Sequence, residues 1–78
     1  MNDSEIIRDV LNGDQKKYAL IVEKYQSNVF RTAIGFVHSK EDAEDIAQDV
    51  FIQAFRLLGS FEGKSELSTW LYRITVNR

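Results

Sequence analysis

"EDAEDIAQDVFIQAF", residues 41–55, sets five carboxylates in its first nine positions and then turns apolar. Beneath the charge lies a helical repeat. Ala43, Ile46, Ala47, Val50, Phe51, Ala54, Leu57 and Leu58 recur three and four residues apart, the spacing of one buried helix face. Ser39 stands where an N-cap belongs, and Asp42, three residues on, is a near capping-box partner. A helix is therefore expected from there to about Leu58.

The same reading extends in both directions. Asp3 or Ser4 can cap a short first helix with Ile6, Ile7, Val10 and Leu11 on one face, and Gly13 of "NGD" fits the C′ position that ends it. Asp14 then caps a long second helix running to about Val37. Its apolar positions are Tyr18, Ile21, Val22, Tyr25, Val29, Ala33 and Phe36, and Phe30, Ile34 and Val37 widen the stripe. Gly35 costs about 1 kcal/mol there against alanine, and a close helix crossing is one use for it. Downstream, "GSFEGKSE" at 59–66 has the composition of a loop, and "LSTWLYRITVNR" at 67–78 reads as a last helix burying Leu67, Leu71 and Ile74. The chain stops there without a capping signal, as a piece of something longer would.

No repeat, low-complexity stretch or strand pattern interrupts this plan. The expectation is an all-α fold over residues 1–78: a small helical bundle of three principal helices plus a short N-terminal one. With 78 residues and no cysteine, the margin of stability is narrow and no disulfide or thiolate metal site reinforces it. The absence of proline favours helix throughout. No apolar run is long enough to span a membrane and no signal peptide opens the chain, so a cytoplasmic location is the default.

Charge changes sign along the chain. Residues 1–40 carry six bases and five acids, residues 41–49 five acids alone, and residues 50–78 four bases and two acids. A chain with net charge −2 is no general polyanion binder. Glu41, Asp42 and Glu44 lie near the start of the third helix, where carboxylates favour the helix dipole. Asp45 and Asp49 need another explanation. At about 100° per residue, Asp45, Gln48, Asp49 and Ile52 form one outward stripe opposite the core face. An isoleucine between acids and an amide is the pattern of a partner footprint. Metal and catalytic uses fit poorly. His38 precedes the acids rather than following at i+3, no calcium-loop pattern occurs, and an outward helix face offers no cleft to raise a carboxyl pKa. No metal or cofactor is expected.

"SFEGKSELSTWLYR", residues 60–73, is the second concentration of chemistry. Phe61, Trp70 and Tyr72 accompany Lys64, Arg73 and the hydroxyls of Ser60, Ser65, Ser68 and Thr69. Aromatics stack on unpaired bases while small polar groups read their edges. Each has a structural reading too: Trp70 lies three after Leu67 and four before Ile74, a core position, and Phe61 can plug the loop.

Together, "DAEDIAQDVFIQAF" and "FEGKSELSTWLYRITVNR" closely resemble region 2 of the extracytoplasmic-function (ECF) group of bacterial sigma factors, in the sigma-70 family. "GDQKKYALIVEKYQSNVFRTAIGFV" resembles the preceding part of that region, so nearly the whole chain is covered. The resemblance implies a binding module for transcription initiation, not an enzyme. Asp45, Gln48 and Asp49, with Ile52 at the edge, would dock on the β′ clamp coiled coil of RNA polymerase core. Phe61, Gly63, Lys64 and Ser65 in the loop, and Thr69, Trp70, Tyr72, Arg73 and Asn77 on the helix, would bind the non-template single strand of the −10 promoter element. Trp70-Leu71 stands where housekeeping sigma factors often carry adjacent tryptophans, which implies a thinner melting wedge and stricter promoter demands. Full-length relatives carry a further domain reading the −35 element. It is absent from this chain, which is not expected to initiate transcription alone. The promoter sequence, the inducing signal, the oligomeric state and the identity of any anti-sigma factor are not legible. The rivals are a small helical protein-interaction module without DNA binding and an acidic-site metallo-hydrolase.

Overall fold

The computed structural model describes residues 2–78, which form four α-helices: α1 (Asp3–Leu11), α2 (Tyr18–Val37), α3 (Lys40–Leu57) and α4 (Leu67–Asn77). Short 3₁₀ turns at Gln15–Lys17 and Leu58–Ser60 lead into α2 and out of α3. Among the described residues there is no strand, and no helix is long and apolar enough to cross a membrane. The expected all-α bundle is the observed one.

The turns follow from local chemistry. Ser39 caps α3, its hydroxyl accepting from the Asp42 amide at 3.4 Å. The reciprocal half of a capping box does not form. The Ser39 hydroxyl instead donates to Glu41. Between α2 and α3 the chain turns through His38, whose left-handed backbone (φ 60°) lets its amide donate to the Ile34 carbonyl. This two-residue connection, His38-Ser39, folds α3 back along α2. Gly13 takes the C′ position after α1 at φ 112°, which favours glycine.

Several local expectations are corrected. Asn2, not Asp3 or Ser4, caps α1 by accepting from the Glu5 amide at 2.9 Å. Asp3 is drawn away: its carboxylate pairs with Lys24 at 3.0 Å and accepts from the Tyr25 hydroxyl. Asp14 makes no side-chain cap, because a 3₁₀ turn precedes α2 and its carboxylate pairs with Lys17. Lys17 also reaches Asp9 at 2.7 Å, so α1 is tied at both ends by ions as well as by its buried Ile6, Ile7 and Val10. Leu11, Phe36 and Leu57, each at or next to a helix end, are exposed. Nothing approaches the position of a Cβ on Gly35 within 4 Å, so no close helix crossing occurs there.

The core is the seam where Ile21, Tyr25, Val29 and Ala33 of α2 meet Ala43, Val50, Phe51 and Ala54 of α3, closed by Leu58, Leu67 and Leu71. Ile46, Ala47, Trp70 and Ile74 are half-buried around it. Thr75 is buried where the sequence offered no apolar residue, and its hydroxyl donates to the Leu71 carbonyl at 2.8 Å. That internal bond makes its burial tolerable.

Phe51 and Ile52 are adjacent, yet Phe51 is 7% exposed and Ile52 46%. Phe51→Ala is expected to cost about 3–5 kcal/mol, close to the whole stability of a small domain, and Ile52→Ala no more than about 0.5 kcal/mol. Thermal melts of the two variants check the helix phase. Similar losses would contradict it.

Candidate functional site

The antiparallel pair α2 and α3 leaves an open groove of about 1170 Å3 on one side. Its floor is apolar: Val22, Phe30 and Ile34 from α2 face Ala47, Phe51 and Phe55 from α3. Its α3 rim carries Glu44, Asp45, Gln48 and Ile52. Basic groups also reach it, with Lys40 and Arg56 on α3 and Arg31 on α2, so the groove is acidic along only part of its rim. Lys40 stands 4.0 Å from Glu44.

Tyr18 closes one end of this groove. Its hydroxyl donates to the Phe51 carbonyl at 2.6 Å, and its ring meets Phe55 edge-on with centroids 5.0 Å apart. Burial holds the phenol in its neutral form and pushes its pKa up to about 12.

The outward stripe expected on α3 is exposed throughout, but it divides. Asp45, Gln48 and Ile52 line the groove. Asp49 does not; it accepts from the Arg78 guanidinium at the end of α4. Sequence reasoning considered α3 alone and so missed the α2 half of the groove. The widened apolar stripe at Phe30 and Ile34 was its available signal. Nothing local signalled an ion pair spanning 29 residues.

The second concentration of residues gathers on the loop at 61–66 and on α4. Phe61 and Trp70 are both half-buried and tilt against each other at 5.2 Å between centroids, so each plugs the core edge and keeps part of its ring in solvent. Gly63 turns the loop at φ 75°, a conformation that strains other residues. Lys64 is exposed and stands 3.7 Å from Glu62, while Ser65 is half-buried. Thr69, Tyr72, Arg73 and Asn77 share the exposed side of α4 with Val76. Among the described residues, no three His, Cys, Asp or Glu side chains gather where they could hold a metal ion.

In sequence and in fold the chain is similar to known proteins. The family model described as Sigma-70 region 2 matches residues 21–78. The chain belongs to the sigma-70 region 2 family. Among similar proteins, the RNA polymerase sigma-H factor of Pseudomonas aeruginosa is 43% identical over 75 residues, covering 96% of this chain and 39% of that protein. The ECF RNA polymerase sigma-E factor of Escherichia coli K12 is 43% identical over 77 residues, covering 99% of this chain and 40% of that protein. The chain thus spans about two-fifths of the length of these relatives. A solved NMR structure of an engineered region 2 of sigmaE in complex with GTAAAA superposes with a TM-score of 0.88 at 42% identity, over 99% of this chain and 80% of that one.

Ionisation of Tyr18 is harder in the folded chain than in the unfolded one, whose phenol titrates near 10. Its contribution to stability is therefore complete below pH 10 and is lost as pH rises from there through about 12. Burial raises the pKa of Tyr25, and carboxylate partners raise those of Lys17 and Lys24, so these groups add to the alkaline loss. Melts across that window should show Tyr18→Phe losing less stability between its lower and upper ends than the unsubstituted chain. An equal fall would show that Tyr18 is not held neutral.

Proposed function

We propose that this chain is the part of an ECF sigma factor that docks on RNA polymerase core and holds the unpaired −10 strand of a promoter. The observation that carries the reading is the likeness, across 99% of the chain, to a sigmaE region 2 in complex with the hexanucleotide GTAAAA. The names of the relatives point the same way: each is an RNA polymerase sigma factor. The role is one of binding rather than of chemistry.

In this reading the α2–α3 groove receives the β′ clamp coiled coil. Ile52 and the apolar floor give up water on docking, which supplies most of the favourable free energy. Asp45 and Gln48 on the rim fix register, the carboxylate by pairing with a basic residue of the clamp and the amide by hydrogen bonding. Asp49 joins them at the outer edge of the footprint. An anti-sigma factor would act most simply by covering the same groove.

The strand would cross the loop and α4. An unpaired base enters beside Phe61, Gly63, Lys64 and Ser65, where Gly63 allows close backbone approach and the half-exposed rings of Phe61 and Trp70 offer a stacking edge. Thr69, Tyr72, Arg73 and Asn77 continue the path along α4. Few bases line it, so affinity for any DNA is modest and its salt dependence shallow. Selectivity then rests on the captured base, which a duplex hides. Initiation by the whole protein, with a −35-binding domain beyond this chain, belongs to the same proposal.

The double variant Asp45→Ala, Gln48→Ala tests the docking face. Its melt should match the unsubstituted chain within about 0.5 kcal/mol, while polymerase-core affinity falls by about 1–3 kcal/mol. Unchanged affinity for core would remove the groove from the interface.

A further inference from the structure

A second cleft, of about 280 Å3, separates α2 from α4. Its floor is the buried trio Tyr25, Val29 and Leu71. Its rim is polar: Asn28, Arg31 and Thr32 from neighbouring turns of α2, and Ser68 and Tyr72 one turn apart on α4. Arg31 is the sole charged residue lining it, and no carboxylate does.

The balance of donors and acceptors there is lopsided. Among the described residues Arg31 makes no ion pair within 4.0 Å, as is true also of Lys16, Arg56 and Arg73, whereas Arg8, Lys17, Lys24, Lys40, Lys64 and Arg78 are paired. Thr32 uses its hydroxyl proton on the Asn28 carbonyl at 3.1 Å. The Asn28 amide and the Ser68 and Tyr72 hydroxyls have no protein partner among the described residues. A guanidinium beside an amide and two hydroxyl donors, with no acid opposing them, suits a singly charged group rich in acceptor oxygens. A phosphodiester has that chemistry. Tyr72 supplies continuity, since it belongs both to this cleft and to the exposed side of α4.

We infer that the α2–α4 cleft seats one backbone phosphate of the single strand crossing α4, with Arg31 as its ion-pair donor and Ser68 and Tyr72 donating hydrogen bonds. The inference rests on the reading of α4 as a DNA-binding surface and extends it onto α2. A phosphate contact positions the strand without reading its sequence. Arg31 is therefore a positioning residue that acts on every sequence alike.

The test is fluorescence anisotropy of a labelled single-stranded GTAAAA oligonucleotide and a scrambled one across a salt series. Proteins compared are the unsubstituted chain, Arg31→Ala, Arg31→Lys, and Lys16→Ala as an exposed control remote from the cleft. Loss of one phosphate contact should make the salt slope shallower by about 0.7 and weaken binding roughly fivefold at about 0.1 M salt, equally for both oligonucleotides. Arg31→Lys should keep the slope, and Lys16→Ala should leave slope and affinity unchanged. Because Arg31 also lines the α2–α3 groove, the DNA measurements are made on the isolated chain, without polymerase core. An unchanged slope in Arg31→Ala, while the unsubstituted chain binds DNA, would overturn this inference and leave the α4 reading standing. So would an equal loss in Lys16→Ala, or a loss confined to one sequence. No binding by the unsubstituted chain would overturn both.

Discussion

The α2–α3 seam is the constraint from which the other features follow. Ala33 and Ala43 are wholly buried on either side of the turn, and Ile21, Val29 and Val50 fill the seam beyond them. Small side chains near the turn let two helices joined by two residues lie close and antiparallel. The separation of their outer faces then creates the groove, and Tyr18 pins its far end through the Phe51 carbonyl. Were the seam to shift by one helical position, Ile52 would enter the core and Phe51 would face solvent. The groove and the fold are one packing solution viewed from two sides.

That solution gives a small domain two chemically different surfaces. The groove side offers apolar area framed by Asp45 and Gln48, suited to a helical protein partner. The loop and α4 offer half-exposed aromatic edges, hydroxyls and a few bases, suited to a single strand whose bases are free to stack. The Asp49–Arg78 pair bridges from the acidic helix to the end of α4. An exposed pair of this kind adds little stability, so the packed core sets how the two surfaces lie.

Much of this was legible in the sequence because the relevant signals are periodic. The 3–4 repeat in α3 gave its buried face and, by subtraction, the exposed stripe of Asp45, Gln48, Asp49 and Ile52. Ser39 announced the start of α3 through its side-chain oxygen. What was not legible depends on partners distant in the chain. Asp3 looked like a cap until Lys24 and Tyr25 claimed its carboxylate. Phe36 fits the stripe of α2 but outruns its neighbours, and Thr75 is buried because its hydroxyl finds a carbonyl inside its own helix. Trp70 carried two readings, core and contact, and its half-buried ring packs at the core edge against Phe61.

The central claim is that one bundle carries a protein-docking groove and a single-strand surface at once. It is tested most directly by anisotropy at low salt with a GTAAAA-containing strand, single and paired, first with the isolated chain and then with the chain bound to polymerase core. The account predicts tighter binding of the single strand in both settings, by an amount in the range of about 1–3 kcal/mol for a stacked base. Equal or tighter binding of the duplex in both would contradict it and leave a helical protein-interaction module.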